Sequence, residues 1–332
     1  MKKMHSTRRD FIAGFAAVAA TGRAFATQNV GQEDGGSSPT ALTSPCGLKV
    51  RFLGSGAAGW KAEWAQSNPH MRRQSSILLD GKALVDFTPC SFDKLPEGCR
   101  PEVLFQTHSH GDHYSPNAAV RSGVKRMYVH ETWAAAARRE VAAAAERLSL
   151  PPPEVIALPF ASPVEECGMR FTAVPANHST SRVTDGVLER PCLYLVEKGG
   201  TRLLYATDTG GLLGDAARMI GIDPHVKPKN FSSYSKSAPY VAEPKALTAI
   251  VMEATNGDTD DDFRLFVHSS VQTVARIVSM LGKHGRYLPP EGQCVYLTHL
   301  GLKYRDWPSE KIEAELPGNF RAAYDGLEVV FG

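Results

Sequence analysis

Apolar residues along this chain fall into short runs separated by polar turns. Residues 48–53 alternate apolar and basic positions, the period of a half-buried strand, and close on Gly54, Ser55 and Gly56. Residues 76–79 and 83–87 flank Asp80 and Gly81 and read as a hairpin. Residues 103–106 form another short apolar strand, and later strands are expected at 170–174, 193–197, 202–205, 249–252 and 295–297. The alanine-rich stretch 132–148, with charged interruptions, reads as a helix that Pro151 to Pro153 stop. Further helices are expected at 269–281 and 309–316. Strands outnumber helices in the first half and the pattern recurs in the second, with no short repeat. This predicts an α/β architecture in which two sheets lie between helices, a four-layer sandwich. Residues 215–244, with clusters of Pro, Lys and Ser, read as an irregular insertion or lid beside a site.

The N-terminus departs from this pattern. Ser6 and Thr7 precede Arg8, Arg9, Asp10, Phe11 and Ile12, a modestly apolar stretch runs from 11 to 20, and Ala24, Phe25 and Ala26 follow. A paired arginine, a short apolar core and an A-x-A site in that order define a twin-arginine export signal over 1–26, cleaved after Ala26. The expected partner is the twin-arginine export machinery, and the expected location is periplasmic or otherwise exported. Residues 27–47 are rich in Gly, Ser, Thr and Gln and read as a flexible linker, leaving 48–332 as the folded domain.

Composition narrows the function. The 332 residues are 42% hydrophobic and 22% charged, ample for a large core. Net charge is +2; the signal segment holds five basic residues and one acidic, so its removal leaves −2. A polycationic surface for long nucleic acid is therefore not expected. The six cysteines show no CxxC spacing, which argues against a zinc ribbon or a thioredoxin-like site. If any pair forms, Cys90 with Cys99 is the nearest in sequence; the alternative is that most are small buried hydrophobes.

The strongest chemical signal is His108-x-His110-x-Asp112-His113, directly after the strand at 103–106. Three imidazoles and a carboxylate crowded at a strand end repel one another on protonation unless a cation organises them. His108 and His110 can face one metal, and Asp112 and His113 a second. Gly111 supplies the tight backbone between them. Completing two shells needs distant ligands, and three apolar strands each end in a ligand-type residue: His178, Asp208 and His299.

These residues resemble the metallo-β-lactamase superfamily, and its phosphodiesterase branch in particular, from 48 to 331. The resemblance implies the metallo-β-lactamase fold, an αββα sandwich. It also implies a first metal on His108, His110 and His178, a second on Asp112, His113 and His299, and Asp208 bridging both. Two divalent ions are expected: zinc, with manganese or iron as alternatives for a His/Asp set without thiolate. The implied reaction is hydrolysis by a hydroxide held between the two ions, oriented by Asp112 and Asp208. Met252 to Thr255 and His268 to Ser270 resemble the Glu-Ala-Thr and His-Ser-Thr elements of ribonuclease Z and related phosphodiesterases. That likeness makes His268 the general acid and Glu253 its orienting partner.

Further segments resemble the phosphoribosyl 1,2-cyclic phosphate phosphodiesterases: Arg72 to Gln74, Asn177 to Ser179, Asp208 and Thr209, Leu297 to His299, and Tyr324 to Glu328. Two features depart from that family. Residues 54–72 contain no cysteine for its structural zinc, and the chain carries an export signal where those enzymes are cytoplasmic. The substrate is thus expected to be a small molecule, most simply a phosphodiester or cyclic phosphate. Hydrolysis of a lactone or β-lactam on the same centre, or a non-catalytic role like that of pyrroloquinoline-quinone biosynthesis protein B, are the alternatives. A homodimer is compatible with all three.

Other residues carry weaker expectations. Asp86 supports the metal site by hydrogen bonding, or serves a turn. Gly54 to Ala58 form a plain turn, or bring backbone N–H groups to substrate. Arg72 and Arg73 pair with surface carboxylates, or contact phosphate. His70, His130, His225 and His284 receive no role.

Overall fold

The computed structural model describes residues 47–61, 64, 67–222, 245–259 and 263–332, all within the unit Cys46–Gly332. The expected export signal, and all but the last residue of the expected linker, lie outside the described residues. So do His225 and the greater part of the expected lid, 223–244.

The strands are β1 (Leu48–Gly54), β2 (Ser76–Leu79), β3 (Ala83–Val85), β4 (Val103–Phe105), β5 (Arg126–His130), β6 (Glu154–Leu158), β7 (Val164–Glu166), β8 (Met169–Pro175), β9 (Val183–Thr184), β10 (Val187–Leu188), β11 (Cys192–Lys198), β12 (Thr201–Ala206), β13 (Ala249–Glu253), β14 (Val295–Thr298), β15 (Phe320–Ala322) and β16 (Glu328–Phe331). The α-helices among the described residues are α1 (Pro116–Arg121), α2 (Ala134–Leu148), α3 (Gly214–Ile220), α4 (Val271–Lys283) and α5 (Ser309–Ala314). One sheet has the order β16-β1-β2-β3-β4-β5-β6, the other β15-β14-β13-β12-β11-β8-β7, and β9 and β10 form a separate hairpin.

Three apolar layers hold the sheets and helices together. Alternation along the strands makes the first two: Ile77, Leu79, Val103 and Phe105 face the second sheet, while Leu78 and Leu104 face α1 and α2. Between the sheets Phe105 stacks on Phe171, ring centres 3.9 Å apart. On the outer face of the second sheet α4 lays down Val271, Val274, Ala275, Val278 and Leu281, one stripe at helical spacing. Ser270 caps α4 by accepting from Thr273 N at 3.0 Å, which is why the helix begins two residues later than expected. Covered on both faces, strands such as β12 and β13 are buried throughout and read as continuous apolar runs.

The structure adds elements that the pattern did not indicate: β5, β6, β7, the β9–β10 hairpin, β15, β16 and α1. It also corrects the expectation of an irregular segment from 215. Residues 214–220 are helical, with Ala216, Met219 and Ile220 buried against the second sheet. The 132–148 helix starts as a single 3-10 turn at Glu131–Trp133. Cys90 and Cys99 are free thiols. No helix among the described residues is long and apolar enough to cross a membrane.

Candidate metal centre

Strand direction gathers the site. β3, β4, β5 and β6 run parallel; β3 ends into Asp86 and β4 into the 107–113 loop. In the second sheet β12, β13 and β14 are parallel, and β8 shares their direction because both β8 and β12 run antiparallel to β11. Their C-terminal ends carry His178, Asp208, Glu253 and His299. Carboxyl ends of parallel strands are where α/β sheets place their ligands. Three of these residues adopt left-handed backbone, with φ of 54° at Asp86, 43° at Asp208 and 50° at His299. Such a residue costs roughly 1–3 kcal/mol unless its surroundings hold it, and such strain gathers at functional sites.

Seven side chains converge into two groups. Ligand-type atoms of His108, His110, His178 and Asp208 lie within 4.8 Å of one another, and so do those of Asp112, His113, Asp208 and His299. The grouping coincides with the two shells expected from the sequence, with Asp208 common to both. His108 Nε2 is 3.0 Å from His110 Nδ1, which is 3.2 Å from His178 Nε2. His113 Nε2 is 3.1 Å from His299 Nε2. Asp208 Oδ2 lies 3.2 Å from His108 Nε2 and 3.4 Å from His113 Nε2.

The donor set fits divalent cations. The distal nitrogens of four rings are engaged: His108 Nδ1 with Thr107 Oγ1 at 3.0 Å, His113 Nδ1 with Asp86 Oδ2 at 2.7 Å, His178 Nδ1 with Val267 O at 3.1 Å, and His299 Nδ1 with Thr255 Oγ1 at 2.8 Å. A carboxylate and a carbonyl accept only, so His113 and His178 donate from Nδ1. The Thr107 hydroxyl is directed to Asp86 and the Thr255 hydroxyl to Glu253, so both oxygens accept from His108 and His299. With Nδ1 so held, His113 and His299 turn Nε2 toward each other, and His108 and His178 turn Nε2 toward His110 Nδ1, all at about hydrogen-bond distance, a convergence of ring nitrogens that a cation between them would organise. Asp208 Oδ1 adds a buried carboxylate oxygen without a hydrogen bond: it lies 2.8 Å from His299 Nε2, outside the bonding direction. The expectation that Asp86 supports the site fits this geometry, since Asp86 also accepts from Thr107 N at 2.8 Å.

The field differs across the centre. Burial, together with the neighbouring His108, lowers His110 to about 4, and burial lowers His178 to about 3. Burial also opposes charge on His113 and His299. There the carboxylates outweigh it: Asp112, Asp208 and Asp86 hold His113 well above its ordinary value, and Asp208 and Asp112 hold His299 at about 10. Asp112 and Asp208 lie well below the carboxylate range because, despite burial, their histidine neighbours favour the anion.

His268 and Glu253 stand beside these ligands. His268 Nδ1 is 3.1 Å from Glu253 Oε1. Burial would lower the His268 pKa, but the hydrogen bond and charge of Glu253 raise it. Glu253 itself accepts from Thr209 N and from Thr255 Oγ1. His268, His110, Asp112, His178, Asp208 and His299 all line one cavity of about 530 Å³. Its remaining wall includes Ala57, Ala58, Gly59, Asn256, Arg264, Leu302 and Lys303. Of these, only Ala57 and Ala58 were marked by the sequence, in the turn after β1.

Arg72 corrects both of its expected roles. It is buried, donating to Ser55 Oγ at 2.8 Å, to Ser309 Oγ at 3.3 Å and to the carbonyl of Ala323, and it contacts neither solvent carboxylates nor the cavity. Arg73 does pair, with Asp93 and Asp325. Gly54 and Gly56 are packing positions: a Cβ at Gly54 would sit 1.9 Å from Gln74 O. His130 begins the 3-10 turn before α2, and His284 ends α4.

Two sheets enclosed by helices, with a His/Asp centre at their strand ends, define the class: this is the metallo-β-lactamase fold. The chain belongs to the β-lactamase superfamily domain family, whose model matches residues 84–256, just over half of its length. Among solved structures it is similar to Zn²⁺-bound PqqB from Methylobacterium extorquens, at 17% identity and a TM-score of 0.57 over 85% of this chain and 99% of that one. It is also similar to the metallo-β-lactamase fold protein YhfI from Bacillus subtilis, at 15% identity and a TM-score of 0.53 over 86% and 99% of the two chains. None of the curated proteins matches the chain.

Proposed function

We propose that the chain is an exported metal-dependent hydrolase that cleaves a phosphodiester or cyclic phosphate of a small molecule. The observation that carries this reading is His268 at the cavity wall with the buried Glu253 behind it, His268 Nδ1 lying 3.1 Å from Glu253 Oε1. When bound, two divalent cations, zinc in the first instance, held by His108, His110, Asp112, His113, His178, Asp208 and His299, would acidify water in the site and neutralise charge on the substrate oxygens. Asp112 and Asp208 would orient that water toward phosphorus. As the P–O bond breaks, the departing oxygen needs a proton. His268, its Nδ1 side held by Glu253 and its pKa raised, can supply one from its other nitrogen near neutral pH. The pair is formed by the two segments that resemble the Glu-Ala-Thr and His-Ser-Thr elements of ribonuclease Z and related phosphodiesterases, and that likeness favours the phosphodiester. The export signal favours a substrate met outside the cytoplasm.

The test is a pair of assays on the metal-loaded protein, with bis(p-nitrophenyl) phosphate and with a chromogenic β-lactam. Turnover of the phosphate ester is expected. Turnover of the lactam alone would reject the phosphodiesterase reading, and a protein that turns over neither and retains less than one metal ion would support a non-catalytic role.

A further inference from the structure

Four of the five histidines in the two clusters are aimed by a partner on their distal nitrogen. His110 is the exception: among the described residues its recorded contacts are with its own cluster, through Nδ1. Its direction must therefore come from its backbone. On the C-terminal side the His110 carbonyl accepts from His113 N at 3.0 Å and from Tyr114 N at 2.8 Å. On the N-terminal side stands Ser109, whose N–H donates to Glu189 Oε1 at 2.7 Å and whose hydroxyl donates to Glu189 Oε2.

Glu189 is 3% exposed and directly follows β10. Its own N–H donates to Arg182 O at 3.0 Å, closing the neck of the β9–β10 hairpin. Burying a carboxylate is costly unless donors meet it. The bland account is a pair with Arg182, but Arg182 Nε stands 3.8 Å away and Arg182 makes its close contact, 2.6 Å, with Glu140 of α2. The short contacts of the carboxylate are both to Ser109.

We infer that Glu189 is a positioning residue that clamps Ser109 and thereby aims His110 into the first cluster. It touches neither substrate nor metal. The inference rests on the reading of the clusters as a dinuclear centre. Removing the clamp therefore loosens one ion and leaves the ion of Asp112, His113 and His299 in place. Loss of a group that orients a metal ligand typically costs about 10–100-fold in affinity.

The experiment is competition for Zn²⁺ between the whole protein and a chromophoric chelator, with thermal unfolding of each variant recorded alongside. Wild type is expected to hold two ions. Glu189→Leu is expected to lose about 10–100-fold affinity for one ion only, and Glu189→Gln, which can still accept from Ser109 N, to regain most of it. Glu189→Asp keeps the charge near Arg182 while withdrawing it from Ser109. It serves if the leucine variant does not fold, with the same one-ion loss expected. Arg182→Met is expected to shift unfolding without changing either affinity. Equal weakening of both ions, or an Arg182→Met variant that reproduces the one-ion loss, overturns the inference. A wild type that takes up no Zn²⁺ overturns the metal-centre reading and the inference with it, whereas two ions held equally well by wild type and Glu189→Leu overturn the inference alone.

Discussion

His108, His110 and His178 meet Asp208 on one side, where His110 is half-buried although the His178 side chain is 4% exposed; Asp112, His113 and His299 meet it on the other, and all three are buried. The first trio contains no carboxylate of its own; burial prevails over Asp208 and Asp112 at His110 and over Asp208 at His178, which fall to about 4 and about 3. The second trio includes Asp112 and is backed by Asp86, and there the carboxylates outweigh burial at His113 and His299. One half of the centre is thus prepared for a cation by fixed negative charge. The other depends on lone pairs held in place by Thr107, Val267 and the loop backbone. This asymmetry implies a tighter ion at Asp112, His113 and His299 and a more exchangeable one at His108, His110 and His178.

The sharpest way to break the comparison is to remove what the halves share. Asp208→Ala deletes the carboxylate common to both groups; it leaves His108, His110 and His178 with no carboxylate in their group, while Asp112 and Asp86 stay beside His113 and His299. Both ions are expected to be lost. Activity should fall by more than the roughly 10²–10³-fold typical of losing one electrostatic contact at a reacting centre. Metal analysis of the folded variant decides: retention of both ions would mean that the clusters are independent and that Asp208 is not the bridge.

His268→Ala should act on neither half. Metal content should match wild type, while hydrolysis of esters with poor leaving groups falls by about 10²–10⁴-fold, the range of a lost general acid. Esters with activated leaving groups should lose much less. Equal losses across a leaving-group series would assign His268 to structure instead of proton transfer.

The same asymmetry explains what could be read in the sequence. His108 to His113 are legible because a single loop carries four ligands. His178, Asp208 and His299 are legible because each ends an apolar strand whose period is clear. The hairpin that holds Glu189 has no such signal: Val183, Val187 and Leu188 face solvent, so no core pattern marks the neck. Arg72 misled for a related reason. Its partners Ser55, Ser309 and Ala323 come from three distant segments, and only the fold brings their oxygens to one buried guanidinium. β5 and β6 were missed because Arg126 and Glu154 open them with charge, and their apolar residues pack only once α2 covers the sheet.

The smallest expected effect would mirror, on the buried side, the loosening predicted at His110. Thr255 Oγ1 contacts His299 Nδ1 at 2.8 Å and donates to Glu253 Oε2. Thr255→Val keeps the shape and removes both contacts. His299 would remain surrounded by Asp112, Asp208 and the packed ring of His113, so what disappears there is its Nδ1 anchor and the hydroxyl's 2.9 Å contact with its carbonyl. The second ion should weaken by no more than about 10-fold, the lower end for groups that orient metal ligands. The first ion should be unaffected. Chelator competition reads both at once. If Thr255→Val instead released the ion of His108, His110 and His178 first, fixed charge would not be what distinguishes the two halves, and the order of release would have to follow exposure alone.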